Sequence, residues 1–338
     1  MTLRIPTLRY VLLPLFAALA LSACHGKNDP SQPGGSTPES AVQRAIELIK
    51  AGDFNGLCRH ALPPADYATL HTDWTIWQRR QPPLTMQDRA RFNTILRQLD
   101  GPDAQNQLFA ELQPALSALE SKYDDQIPLL IRVGEAMLKK AVAQNPDIGG
   151  AQKTQADAAL DALVPRAQQA PWFDPAKTRR AVDIAVATAR ALDLSSVDQL
   201  RAMDFDTAMS KYSIAYAGLK QLLANYGLSV DGTLDSARVT LLENRHGHAR
   251  VRIDYILQGK PLSTEIALVQ VDQRWYNEAL IDSMRAAHAR LTLSSAAASA
   301  PGWHGGGPAI APLAAGSATA AAGTASTSAQ DRTRQPLQ

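Results

Sequence analysis

The sequence predicts an α+β protein, with a predominantly helical body followed by a C-terminal four-stranded antiparallel sheet. Three observations predict this class. Apolar residues recur at spacings of three and four between about residues 38 and 226. The spacing changes to two between about residues 237 and 280, and the predicted strands there are joined by links of two or three residues, which favour antiparallel hairpins.

The folded body is predicted to span residues 37–292 and to begin with a helix. Thr37 is suited to cap that helix, and Pro38 is suited to its first turn. Gly52 is predicted to end it, and Asp53 to cap a second, short helix.

A long helical region follows, in which proline and glycine are predicted to break the helices at Pro82-Pro83, Gly101-Pro102 and Asn145-Pro146. Its predicted helices are 64–80, 86–99, 104–122, 126–144, 150–169, 175–192 and 205–226. The clearest apolar stripe, predicted to pack helix on helix, is Ile127, Leu130, Ile131, Gly134, Met137, Leu138, Ala141 and Val142.

Period-two patterning then predicts the sheet. The predicted strands are 237–243, 249–255, 262–272 and 274–280, followed by a last helix at 281–291. Strict alternation places Val251, Ile253 and Tyr255 toward the core and Arg250 and Arg252 toward solvent. The apolar face of this sheet needs a helix to cover it. We expect the helix at 37–50 to do so, and the alternatives are the last helix at 281–291 and the helix that ends at Tyr226, which are closer in sequence.

The two ends of the chain differ from the body. Residues 1–23 combine a basic start, at Arg4 and Arg9, with an apolar run that is too short to span a bilayer, as in a secretory signal. Residues 24–36 are interpreted as a flexible tether. Residues 293–338 are rich in Ala, Gly, Ser, Thr and Pro and are predicted to be disordered.

The segment Leu21-Ser22-Ala23-Cys24 resembles the lipobox of bacterial lipoproteins. The resemblance implies that the Cys24 thiol is lipidated, that a signal peptidase cleaves before it, and that two or three acyl chains then anchor the protein to a membrane. His25, rather than aspartate, follows the cysteine. By the sorting pattern of enteric bacteria, this implies a cell-envelope protein of the outer membrane that faces the periplasm.

Two separated parts of the chain resemble the cone-shaped α+β domains of the nuclear-transport-factor-two-like superfamily, in its bacterial lipoprotein branches. The resemblance implies a leading helix packed on a curved antiparallel sheet, with residues 60–228 as an insertion or a separate helical domain. The matching segments are Thr37-Pro38-Glu39-Ser40-Ala41-Val42, Lys50-Ala51-Gly52-Asp53-Phe54, Val239-Thr240-Leu241-Leu242-Glu243, Ala249-Arg250-Val251-Arg252-Ile253, Gly259-Lys260, Leu268-Val269-Gln270-Val271-Asp272 and Arg274-Trp275.

Composition argues against nucleic acid as a partner. Of the 34 basic residues, Arg4 and Arg9 leave with the signal, so the mature chain has as many basic as acidic residues, 32 of each.

The chain has two cysteines, Cys24 and Cys58. With Cys24 lipidated, no intrachain disulfide is expected, and Cys58 is interpreted as a small buried apolar residue.

The sequence contains no convincing catalytic site, so we expect neither an enzyme nor a bound cofactor or metal. Neither a Gly-x-Ser-x-Gly elbow nor a glycine-rich phosphate loop is present. His246-Gly247-His248 is the most metal-like segment, but it lacks further ligands and is interpreted as a solvated turn.

One cluster is a candidate binding surface. Tyr67, Trp74 and Trp77 lie at helical spacing beside Arg79 and Arg80. Core packing with a basic end explains the pattern, and an aromatic groove for a ligand, glycan or peptide is the alternative.

The expected function is therefore that of a non-catalytic envelope lipoprotein that docks an envelope protein or has a structural role. A lipoprotein that binds a small molecule or peptide in a cleft is the alternative. A wide exposed apolar patch would favour docking, and a closed apolar pocket would favour ligand binding.

Overall fold

The computed structural model describes residues 32–145 and 148–299, and at 124 and 294–299 it describes the backbone alone. The predicted signal, the predicted lipidation site Cys24 and most of the predicted tail therefore lie outside the described residues.

The described chain has the predicted α+β architecture, in which eleven helices precede the sheet and one follows it. The first six helices are α1 (Pro38–Ala51), α2 (Phe54–Ala61), α3 (Pro64–Arg79), α4 (Met86–Asp100), α5 (Ala104–Tyr123) and α6 (Ile127–Gln144). The next five are α7 (Gly150–Gln169), α8 (Pro175–Leu192), α9 (Val197–Ala202), α10 (Phe205–Asn225) and α11 (Val230–Asp235). The strands are β1 (Arg238–Arg245), β2 (His248–Leu257), β3 (Lys260–Val271) and β4 (Arg274–Asn277), and α12 (Glu278–Ser299) follows them.

The predicted ends of α1 are confirmed. The Thr37 hydroxyl accepts a hydrogen bond from the Ser40 amide at 3.2 Å, and the Ser40 hydroxyl accepts one from the Thr37 amide at 3.0 Å. This reciprocal pair satisfies two amides that a helix start leaves without partners. Gly52 ends the helix with φ +72°, a conformation that glycine adopts without steric cost.

The sheet is an antiparallel meander in the order β1-β2-β3-β4. Its three turns, at His246–Gly247, Gln258–Gly259 and Asp272–Gln273, each have positive φ at both residues. Turns of this conformation match the right-handed twist of paired strands, and they therefore allow each pair of neighbouring strands to be joined by only two residues.

The predicted faces of β2 are also confirmed. Val251 and Ile253 are 0% exposed and Tyr255 is buried, whereas Arg250 and Arg252 are exposed. The opposite face of the sheet is polar and open to solvent, as is usual for an antiparallel sheet covered on one side.

Helix α1 covers the apolar face of the sheet, as we expected, although nearly two hundred residues separate them. Ile46 and Ile49 share one buried core cluster with Val251, Ile253 and Trp275, and α1 contacts β1, β2 and β4. Helix α7 covers the part of the face near β3.

Several predicted boundaries were wrong. Two short helices, α9 and α11, were missed, and each is capped by a serine hydroxyl, from Ser196 and Ser229. Strand β4 ends at Asn277, not at 280, because the Asn277 side chain accepts a hydrogen bond from the Leu280 amide at 2.9 Å and starts α12 there. That helix continues to Ser299, beyond the predicted end of the body at 292.

The last residues of the predicted flexible tether belong to the body. Gly35 and Trp275 exchange two backbone hydrogen bonds, of 3.0 and 2.9 Å, at the free edge of β4. The Arg274 guanidinium donates to the Pro33 and Gly34 carbonyls at 2.9 and 2.6 Å. A tether can therefore extend only to about Gln32.

Candidate interaction surface

The predicted aromatic surface lies at the junction of α3 with α10. The rings of Tyr67 and Trp74 meet the buried Phe205 ring edge-on, with centroids 6.3 and 5.8 Å away. Trp74 donates from Nε1 to the Met203 carbonyl at 2.9 Å, and Trp77 lies against Trp74 at 5.3 Å. Packing and hydrogen bonding account for all three rings, which are half-buried.

The two arginines of this surface are exposed at the end of α3. Arg80 donates to the Leu291 carbonyl of α12 at 2.8 Å. Two more contacts join these helices: Asp66 accepts two hydrogen bonds from Arg285, at 2.9 and 2.8 Å, and Asp73 lies 2.8 Å from Nδ1 of His288. The polar side of α3 thus attaches α12 to the body.

Two buried titratable side chains have structural surroundings. Nε2 of His60 lies 2.8 Å from the Ala41 carbonyl, and burial lowers the pKa of this imidazole. Burial raises the pKa of the Cys58 thiol to about 12. Cys58 is therefore protonated at neutral pH, which makes it a poor nucleophile.

The histidine turn does not assemble a metal centre in the described part of the chain. His246 is exposed in the turn, and Nδ1 of His248 lies 3.5 Å from the Glu278 carboxylate. Among the residues that the structure describes, no three His, Cys, Asp or Glu side chains lie close enough together to hold a metal ion.

Two surface depressions have linings of mixed polar and apolar side chains. One, of about 370 Å³, lies between α8 and α10 and is lined by Lys177, Arg180 and Asn225 among others. The other, of about 270 Å³, lies at the sheet beside Arg238 and Asp254. Both are open to solvent, and neither is the closed apolar pocket that favours a small-molecule ligand.

The largest departure from the expected packing is on α6. None of the 18 residues of this helix is buried. Leu129, Val133 and Met137 are 63%, 50% and 68% exposed, and Leu130 and Leu138 beside them are also exposed. We call these five side chains the α6 face.

A second apolar stripe lies on α5. Leu112 and Leu119 are 43% and 45% exposed, with the half-buried Leu116 between them. We call these three leucines the α5 face. The N-terminal part of α5 packs on α8, where Ala104 is fully buried beside Val182, but the residues from 110 to 122 are exposed apart from Leu116.

The arrangement of the helices explains both faces. Helices α5 and α6 are joined by a single 3-10 turn at Asp124–Gln126 but share no extended interface. Within the described part of the chain, helix α6 packs mainly on α7, through half-buried residues that include Ile127, Ile131 and Val142. One neighbouring helix covers only one side of α6.

The expected burial of the 127–142 stripe was therefore wrong for Leu130, Met137, Leu138 and Ala141, which are exposed. The sequence did contain a signal for an exposed apolar face, because Leu129 and Val133 lie outside the predicted stripe and extend the apolar surface of α6. A surface helix with one partner does not need apolar residues on that many sides.

No helix within the described ranges combines the length and apolar character needed to cross a membrane. Comparison with protein-family models, with curated proteins and with solved structures found no match for this chain.

Proposed function

We propose that this chain is a non-catalytic lipoprotein of the bacterial envelope that docks a protein partner through its exposed helices. The α6 face carries this proposal. Leu129, Val133 and Met137 expose half or more of their surface on one helix, together with Leu130 and Leu138. Contiguous apolar surface of this kind on a soluble body marks an interaction site.

Docking is favoured over small-molecule binding by where the apolar surface lies. The exposed leucines and methionine are on the outer sides of two helices, where a ligand could not be enclosed. The two depressions, by contrast, are open to solvent, and charged side chains, from Lys177 and Arg180 in one and Arg238 and Asp254 in the other, take part in their linings. A flat apolar helix face suits a partner helix better than a small ligand.

Membrane anchoring at Cys24 is the second part of the proposal. Residues 33–35 are fixed to the β4 edge, and Gln32 just before them lies eight residues after Cys24. A fully extended chain of that length spans at most about 28 Å. Acylated Cys24 would therefore hold this edge of the sheet near the membrane, which His25 predicts to be the outer membrane on its periplasmic side.

The resemblance to the nuclear-transport-factor-two-like superfamily remains a proposal about ancestry. The packing of α1 on the antiparallel sheet supports it. In that interpretation, the helices between residues 60 and 228 are inserted into the small domain and carry the docking surface.

The docking role is tested by exchanging apolar for charged side chains on the α6 face. The native lipidated protein is purified after cross-linking in cells, as wild type, as the Val133→Glu/Met137→Glu variant, and as Ile256→Glu. Ile256 is a matched control because it is 51% exposed but lies on the sheet. We expect the double variant alone to lose the cross-linked species. Retention of the same species by the double variant would contradict the proposal.

The anchor is tested by mass spectrometry of the N-terminal peptide of the native protein. We expect a chain that begins at Cys24 and carries acyl groups. An intact signal segment or an unmodified Cys24 would contradict the anchoring proposal.

A further inference from the structure

We propose that the protein docked at these helices is a second copy of this chain, with the α5 face of each copy packed on the α6 face of the other. This inference rests on the proposed docking function and names its partner. It follows from the spacing, the charges and the attachment of the two helices.

The two faces have matching apolar seams. Leu112, Leu116 and Leu119 are spaced by four and three residues on α5, whereas Leu130, Val133 and Met137 are spaced by three and four on α6. The first and last side chains of each seam are seven residue steps apart, or about 10.5 Å along a helix. Spacings of three and four are those by which two helices interlock side chains along a shared seam.

Opposite charges lie beside the two seams. Glu120 follows Leu116 by one helical turn, and Lys140 follows Met137 by three residues. Both are exposed, and neither forms an ion pair within the part of the chain that the structure describes. The adjacent Lys139, in contrast, is paired with Glu135 and Asp161, at 2.8 and 2.5 Å.

These charges select the pairing of α5 with α6. With the helices parallel, two α5 faces in contact would bring Glu120 near its own copy, and two α6 faces would do the same with Lys140. Packing α5 parallel to α6 instead places a carboxylate near an ammonium group. A two-fold dimer makes this contact twice, and such an interface requires a surface that is complementary to itself.

The attachment of the helices favours a second copy over closure within one chain. Helix α6 is fixed to α7 by its inner side and by the ion pair of Lys139 with Asp161. Helix α5 is fixed to α8 by Ala104, which lies in a buried cluster with Val182 and Val186. Folding α5 onto α6 of the same chain would disrupt one of these contacts, whereas pairing between copies preserves both.

The proposal is tested by disulfide cross-linking between the centres of the seams, which meet whichever way the helices run. Two full-length copies with different tags are co-expressed, one carrying Leu116→Cys and the other Val133→Cys. The natural Cys58 is a suitable silent background because it is buried. After mild oxidation in intact membranes, we expect a reducible heterodimer that carries both tags.

Three variants sharpen this test. Leu116→Cys paired with Ile256→Cys, an exposed position on the sheet, should give no heterodimer. Adding Glu120→Lys to the Leu116→Cys copy should lower the heterodimer yield several-fold, and adding Lys140→Glu to the other copy should restore it. No rescue by the second charge reversal would contradict the proposed pairing.

The remaining outcomes separate this inference from the proposed function. Absence of the heterodimer, or a disulfide formed only within one chain that carries both cysteines, would overturn the second-copy assignment. If the Val133→Glu/Met137→Glu variant instead lost a cross-link to an envelope protein other than a second copy of this chain, docking would stand, with that protein as the partner. If the variant kept every cross-linked species of the wild type, both the docking function and the second-copy assignment would be overturned.

Discussion

Helices α1 and α6 have similar apolar patterns but opposite surroundings. Eight of the 14 residues of α1 are buried, whereas none of the 18 residues of α6 is. Helix α1 contacts the sheet and α2, while α6 packs mainly on α7 among the described residues. The comparison shows that the number of neighbours, rather than apolar content, decides whether a helix belongs to the core.

This difference in burial also separates a part of the molecule that provides stability from a part that is available for association. Burial around the sheet supplies stability, because each apolar side chain removed from water there contributes about 25 cal/mol per Å². The apolar side chains of the α6 face contribute little of this in the isolated chain, so they remain available for association.

A charge in the sheet core should be the most damaging change. Val251→Asp places a carboxylate at a fully buried position, and we expect a loss of about 3–5 kcal/mol in the free energy of unfolding. Arg252→Asp is the matched control. It removes an exposed ion pair with Asp254, for an expected loss of about 1 kcal/mol or less. Urea denaturation measures both, and equal losses would contradict the assigned faces of β2.

The same truncation should have different effects on the two helices. Ile46→Ala on α1 creates a cavity in the core, for an expected loss of about 2–4 kcal/mol. Met137→Ala on α6 removes a largely exposed side chain and should change stability by about 0.5 kcal/mol or less. Thermal and urea unfolding of the monomer check this pair. A large loss from Met137→Ala would show that α6 is buried in the isolated chain.

Stability should fall with acidification because of His60. Its pKa is lowered by burial, so below the unfolded-state value of about 6.5 the unfolded chain binds a proton that the folded chain does not. The stability is thus fully present above that pH and decreases below it, by at most about 1.4 kcal/mol per pH unit for one proton. His60→Gln should make the curve of unfolding free energy against pH shallower between pH 7.5 and 5.5. An unchanged slope would refute the assignment.

The smallest of these effects should come from the aromatic surface on α3. Trp74→Phe removes the hydrogen bond to the Met203 carbonyl, but Gln78 also donates to that oxygen. We therefore expect a loss of about 1 kcal/mol, measured by urea denaturation. Trp77→Phe, which keeps an aromatic ring beside Trp74, serves as the control. A loss above about 3 kcal/mol would show that α3 contributes more to the core than its half-buried rings suggest.

The features that the sequence predicted well have local causes. The ends of α1 follow from Thr37 and Gly52, and two of the hairpin turns follow from His246-Gly247 and Gln258-Gly259. The position of α1 on the sheet is a long-range feature, and only the family resemblance and the need to cover an apolar face predicted it.

The features that the sequence missed depend on neighbours. Periodicity shows which residues of α6 share a side, but it does not show that α7 is its main packing partner. The start of α12 was missed for a different reason. Leu280 continues the apolar pattern of β4, and only the bond from its amide to Asn277 shows that the strand has already ended.

The most direct test of the account is amide hydrogen exchange, compared between α1 and α6 of the full-length protein in membranes. At dilution, we predict slow exchange in α1 and fast exchange in α6, because local opening of α6 exposes little further apolar surface. At high surface density, α5 and α6 should become protected while α1 stays unchanged. Equally slow exchange in α1 and α6 at dilution would contradict the claim that the α6 face is a docking surface rather than part of the core.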